Sequence, residues 1–170
     1  MLTVIVQWTL LTRALSQTHW ETAIYAEDTW HYFVGTTAPP ANWKSLDFDV
    51  NNWSSGLGGF GYSDGDDNTN IPNTLAVFFR KSFQVDDLDE ILSAAVHSDY
   101  DDGFVAYLNG VEIARSFNMG TSGSVVSYDQ TTDSDHEAVM YQGGVPDVFI
   151  LGYNDLDGLL QEGENVFAVE

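Results

Sequence analysis

Cysteine is absent from the 170-residue chain, which excludes disulfides, thiolate metal sites and a cysteine nucleophile while leaving the redox compartment open. Basic side chains are also scarce: five Lys and Arg stand against 26 Asp and Glu, a formal net charge of -21. With no Lys/Arg cluster to follow a phosphate backbone or an anionic lipid surface, the balance argues against nucleic acid and membrane surfaces as partners. No apolar run reaches the ~18 residues that a transmembrane helix needs. The sequence also lacks a Gly-x-Ser-x-Gly elbow, a His-Glu-x-x-His pair and a phosphate-binding glycine loop followed by Lys. The chain therefore reads as a non-enzyme.

What is present is enough to build a core. Hydrophobic residues make up 44% of the chain and aromatics 14%, so the acidity is not that of a disordered tail. Residues 1–17, MLTVIVQWTLLTRALSQ, join an apolar run from Leu2 to Leu11 to a small-residue stretch, Ala14-Leu15-Ser16. They read as a secretory signal, with a first strand as the alternative. Residues 18–170 are expected to form one domain.

Short apolar runs separated by Asp, Asn, Ser and Gly clusters give the rhythm of an all-β sandwich. Strands are predicted at Thr29 to Val34, Leu75 to Gln84, Ile91 to His97, Gly103 to Leu108, Val111 to Arg115, Val148 to Leu151 and Asn165 to Glu170. Asn109-Gly110 places two residues tolerant of positive φ at the centre of a tight hairpin turn. Short helical turns are expected at Ala41 to Leu46 and Asp155 to Leu160.

Three pieces, Phe78-Phe79-Arg80-Lys81-Ser82-Phe83, Asp101-Asp102-Gly103 running into Leu108-Asn109-Gly110, and Gly163-Glu164-Asn165-Val166-Phe167-Ala168-Val169-Glu170, together resemble a galactose-binding-like jelly roll. The order is similar to that in the sugar-binding domain of β-galactosidase-type glycoside hydrolases. Upstream, Trp30-x-Tyr32, Pro39-Pro40-x-x-Trp43, Phe48-Asp49-x-x-x-Trp53 and Gly58-Gly59-Phe60-Gly61-Tyr62 resemble uncharacterised jelly-roll modules of secreted multidomain bacterial proteins. The resemblance implies an antiparallel β-sandwich without catalysis, carrying a structural calcium and binding a ligand through loops or one sheet face. It also implies that the last strand continues past Glu170, so the chain is expected to be a fragment of a longer protein. In such modules an acidic residue of the last strand reaches the calcium, which makes Glu170 a further candidate ligand.

Eighteen of the acids are Asp, the shorter carboxylate that suits turns and oxygen-ligand cation sites. Asp64, Asp66, Asp67 and Asn68 crowd oxygen ligands onto a Gly-containing loop, though the spacing is not that of an EF-hand. Asp99, Asp101 and Asp102 supply carboxylates on a second loop around Tyr100. Both loops are candidates for calcium; the first reads equally as a solvated acidic turn, and the second reads more readily as a turn whose Asp side chains bond backbone donors. Asp133, Asp135, His136 and Glu137 match no zinc spacing and read as a polar loop.

For sugar recognition, aromatic faces stack on pyranose C–H faces while acids and amides bond the hydroxyls. Trp43, Trp53 and Tyr62 lie near loop signals and are candidates, joined by Tyr100 and Asp102 on the second loop; the competing reading of Trp43 and Trp53 is that they plug the core. The expected function is a secreted or cell-surface carbohydrate-binding module stabilised by calcium. The alternative is an adhesive or structural module contacting neighbouring extracellular domains or identical subunits, as a homo-oligomer or larger assembly.

Overall fold

The computed structural model describes residues 18–62, 65 and 67–170. The expectations for residues 1–17 and for Asp64 and Asp66 fall outside these. The described residues form an all-β sandwich. Its main sheet has six antiparallel strands in the order β2-β1-β5-β10-β7-β8. These are β1 (Thr29–Val34), β2 (Ser54–Leu57), β5 (Val77–Val85), β7 (Val105–Leu108), β8 (Val111–Arg115) and β10 (Gly163–Val169). A second sheet pairs β6 (Ser93–Ser98) antiparallel with β9 (Asp147–Gly152). The short strands β3 (Phe60–Gly61) and β4 (Thr69–Asn70) make a two-residue parallel pair.

The predicted strands coincide with these elements to within two residues at each end, and β1 and β8 have the predicted bounds. The hairpin also forms as expected, with Asn109 at φ 48° and Gly110 at φ 89°, the left-handed pair that matches the twist of the flanking strands. Both expected helical turns form, with differences in start and hydrogen bonding. The helix expected at Asp155 to Leu160 starts earlier, as α1 (Tyr153–Leu156), because the Asp155 carboxylate accepts from the Gly152 amide and so lies in the first turn. The segment Ala41 to Leu46 is a chain of turns, with Ser45 N–H donating to Asn42 C=O rather than one residue further back. The Trp43 and Ser45 carbonyls accept from the Arg80 guanidinium, and the Ser45 carbonyl accepts from the Phe48 amide as well.

Arg80 lies at the middle of the main sheet. Residues directly opposite in a ladder share a face, so the register sets His31, Arg80, Ala168, Tyr107 and Glu112 in one row across five strands. On this face Phe78, Tyr107, Val166 and Ala168 pack with Trp43 and Met119, and with the half-buried Phe48 and Trp53. The segment 41–48 thus crosses the face as a strap. The opposite face presents Ala106, Phe167 and Val169 to Phe149 of β9, and Phe83 and Leu108 to Leu151. A sheet covered on both sides explains why β5, VFFRKSFQV, does not alternate cleanly between apolar and polar.

The β10 end of the sheet is tied by an amide pair. Asn165 is fully buried, and its Oδ1 accepts from Asn109 Nδ2 (2.8 Å) and the Gln161 amide (3.0 Å). Its Nδ2 donates to the Gln161 and Gly163 carbonyls, while Asn109 Oδ1 accepts from the Val166 amide at 2.8 Å. Asn165→Leu keeps the volume but orphans these partners, and should lower unfolding free energy by about 2–4 kcal/mol in urea titration. A loss below about 1 kcal/mol would show that the amide pair does not anchor the strand.

Candidate functional site

A concavity of about 750 Å³ opens on the strapped face of the main sheet beside the hairpin. Trp43, Phe78 and Tyr107 form its floor, with Lys44, Glu112 and Glu170 around them and the loop 122–128 as the far wall. A register shift between Ala106 and Tyr107 sets Glu112 opposite Tyr107. A β-bulge re-aims a side chain in this way, and here it puts a carboxylate on the cleft side of β8.

The cleft's two carboxyls are in opposite situations. Glu112 accepts from Arg115 Nε (3.0 Å) and Nη2 (2.8 Å), Ser122 Oγ (2.8 Å) and the Gly123 amide (3.0 Å). The Arg115 hydrogen bonds, working against burial and helped by Ser122 and Gly123, hold its carboxyl down at about 2. Arg115 in turn ties down the wall loop through the Met119 and Ser124 carbonyls. Glu170 is pushed up by burial, against the pull of its Tyr107 hydrogen bond and of Lys44 and Arg115. Burial and the Glu170 bond push the Tyr107 hydroxyl well above its ordinary range. Lys44 Nζ lies 3.8 Å from the centroid of the Tyr107 ring, within cation–π range.

On the other side of the strap is a smaller concavity, about 260 Å³, bordered by His31, Asp47, Phe48, Arg80, Ser82 and Glu164. Arg80 is only 4% exposed. Burial pushes its pKa down, while Asp47 and Glu164 pull it back up.

The candidates read from the sequence do not converge on one site. Trp43 and Glu170 reach the main cleft, but Trp43 is not an exposed platform: it is 5% exposed and packs on Trp53 with centroids 6.2 Å apart at 25°. Trp53 is further enclosed by Phe33 and Phe48, so both tryptophans plug the core of the strapped face. Tyr100 is likewise buried, its hydroxyl donating to Asp147 (2.9 Å) and its ring stacked on His136 at 4.2 Å. Tyr62 is about half exposed, at 48%.

The second Asp loop is engaged in turn building. Asp99 accepts from the Val139 and Met140 amides, and Asp101 from the Ala138 amide. Asp102 adopts φ 59°, and its carbonyl accepts from Asn118 Nδ2. On the first loop, Asn68 Nδ2 donates to the Gly58 carbonyl at 2.7 Å. The Asp67 carboxylate lies so close to Gly61 that a Cβ there would meet it at 2.1 Å. Among the described residues no three His, Asp or Glu side chains are grouped to hold a metal ion. Lys44, Tyr107, Glu112 and Tyr128 line the main cleft and were not singled out by sequence. The signal within reach was the parity of the hairpin, which puts Tyr107 on the face opposite Ala106.

No protein family matches the sequence, and no curated protein does. Among solved structures the chain is similar to a β-glucuronidase of Bifidobacterium dentium complexed with coumarin-3-O-glucuronide, at TM-score 0.52 and 18% identity. The match covers 84% of this chain and 19% of that one. A β-glucuronidase from an uncultured Clostridium species gives TM-score 0.47 and 17% identity over 84% of this chain and 20% of that one. The chain therefore spans about a fifth of the length of each enzyme, and what it shares with the first is the fold.

The Glu112–Arg115 pair makes a signed prediction. A carboxyl with a depressed pKa adds stability above its unfolded value, ~4.3, that is lost as pH falls toward the folded value, here about 2. Glu112→Gln should melt below the parent at pH 7, and the gap should close between those two values. A gap independent of pH would show that the ion pair is not its source.

Proposed function

We propose that the chain is a non-catalytic, extracellular carbohydrate-binding module of the galactose-binding-like kind, with the glycan seated in the cleft beside the strap. The observation that carries this reading is the cleft's make-up, an apolar side formed by Pro39, Val125 and Tyr128 beside an ammonium, carboxyls and the backbone of loop 122–128. Pyranoses need that mixture, an apolar plane for their C–H faces and polar groups for their hydroxyls. The fold's occurrence within a β-glucuronidase supports the reading only as company, since a fold does not dictate a function.

Catalysis fits poorly. Hydrolysis wants one carboxyl free as acid and another free as base or nucleophile, yet Glu112 is held by four donors. A second reading, contact with a neighbouring domain or subunit, is favoured by the outward side of the β6–β9 sheet, where Val148 is 46% and Ile150 61% exposed. A glycan array followed by tryptophan-fluorescence titration decides between them. Saccharide binding that shifts the emission of Trp43 is expected; no saccharide binding, with self-association in light scattering, would favour the assembly. Turnover of a chromogenic glycoside would overturn the non-catalytic assignment.

Calcium belongs to the same proposal, as a structural ion on the loop from Asp64 to Asn68, whose side chains are rich in hard oxygen ligands. A cation that binds only the folded state raises the melting temperature. Millimolar calcium is expected to do so relative to EDTA, beyond a magnesium control at equal ionic strength, and Asp64→Asn with Asp66→Asn should remove the shift. An equal response to both cations would leave the loop as a solvated turn.

A further inference from the structure

Lys44 is in an unusual position for a cation in a chain of net charge -21. Among the described residues, Arg115 is paired with Glu112 at 2.8 Å and Lys81 with Asp28 at 3.4 Å, while Arg80 is buried against two carbonyls. Lys44 has neither an ion pair nor a hydrogen-bond acceptor for its ammonium among them. Its ammonium lies over the Tyr107 ring, in the floor of the main cleft, and its charge acts on Glu170 across the cleft.

Its backbone is fixed on both sides. Arg80 takes the carbonyl of Trp43 before it and of Ser45 after it, so the strap cannot roll and the side chain is delivered to the cleft. A cation fixed in advance loses little freedom on meeting a ligand. The negative groups nearby are already engaged. Glu112 is neutralised by Arg115, and Glu170 accepts the Tyr107 hydroxyl.

We infer that the saccharide bound in this cleft is anionic, and that Lys44, held over the Tyr107 ring, determines the specificity by pairing with the sugar's acidic group. This rests on the carbohydrate reading above and narrows it to sugars bearing a carboxylate or a sulfate. A charge-assisted hydrogen bond in a partly enclosed cleft corresponds to roughly ten-fold in affinity.

The test is calorimetric titration of the chain with oligogalacturonate, a sulfated galacto-oligosaccharide and a neutral galacto-oligosaccharide at equal ionic strength. One anionic ligand should bind roughly ten-fold tighter than the neutral one, and which does so identifies the acidic group. Lys44→Gln should abolish that preference at an unchanged melting temperature, and Lys44→Arg should retain it. Equal or tighter binding of the neutral sugar, or a preference that survives in Lys44→Gln, overturns the inference and leaves the carbohydrate reading standing. Binding of none of the three, or of any glycan on the array, overturns both.

Discussion

The guanidinium of Arg80, donating to the carbonyls of Trp43 and Ser45, is the contact on which the strapped face depends. Charge-assisted hydrogen bonds contribute about 1.5–3 kcal/mol each, while removing a charge from water costs several kcal/mol. The two nearly offset, so Arg80 adds little net stability. What it fixes is position. A loop without regular structure could cross the sheet at many heights; the Nη1 of one buried guanidinium, donating to both carbonyls, selects one. From that choice follow the burial of Trp43 against Phe78 and Tyr107, the aromatic floor of the cleft and the placement of Lys44.

The same face shows how a strongly acidic chain distributes few cations. Two of the five Lys and Arg hold irregular backbone, Arg80 the strap and Arg115 the loop carbonyls of Met119 and Ser124, while Lys81 binds the Thr29 carbonyl at the start of β1. The bulge in β8 then brings Glu112 onto Arg115, so a carboxylate that would otherwise repel its neighbours anchors the wall of the cleft. The cleft is shaped by charge pairs on strands and lined by loops held to them.

Strand positions were legible in the sequence because they depend on local alternation and turn chemistry; Asn109-Gly110 needs only positive φ, which those residues supply by themselves. The site was not legible, because its parts meet through tertiary contacts. Arg80 in Phe-Phe-Arg-Lys-Ser-Phe looks like a solvent-side residue of a half-buried strand, and only the second covered face makes it internal. The turns at Ala41 to Leu46 are a local feature, but nothing local shows that an arginine some 35 residues away binds their carbonyls. Proximity to Pro and Gly suggested exposed tryptophans, but a strap laid on a sheet buries what it carries.

The two acidic loops also separate in role once the faces are assigned. Phe60, which opens the strand pair flanking the first loop, packs on Tyr32 and Phe79 at 5.2 and 4.7 Å. Tyr32 and Phe79 alternate with His31 and Arg80 and so point away from the strap. The loop after Phe60 is therefore anchored to the opposite face from the cleft. An ion bound there would strengthen the strand pair β3–β4 and the edge strand beside it, through the Thr69 hydroxyl on the Leu57 carbonyl, without touching a ligand above Tyr107. The proposed cation loop and the proposed saccharide cleft are thus tied to opposite faces of the sheet, and coupling between them would run through the stability of the sheet.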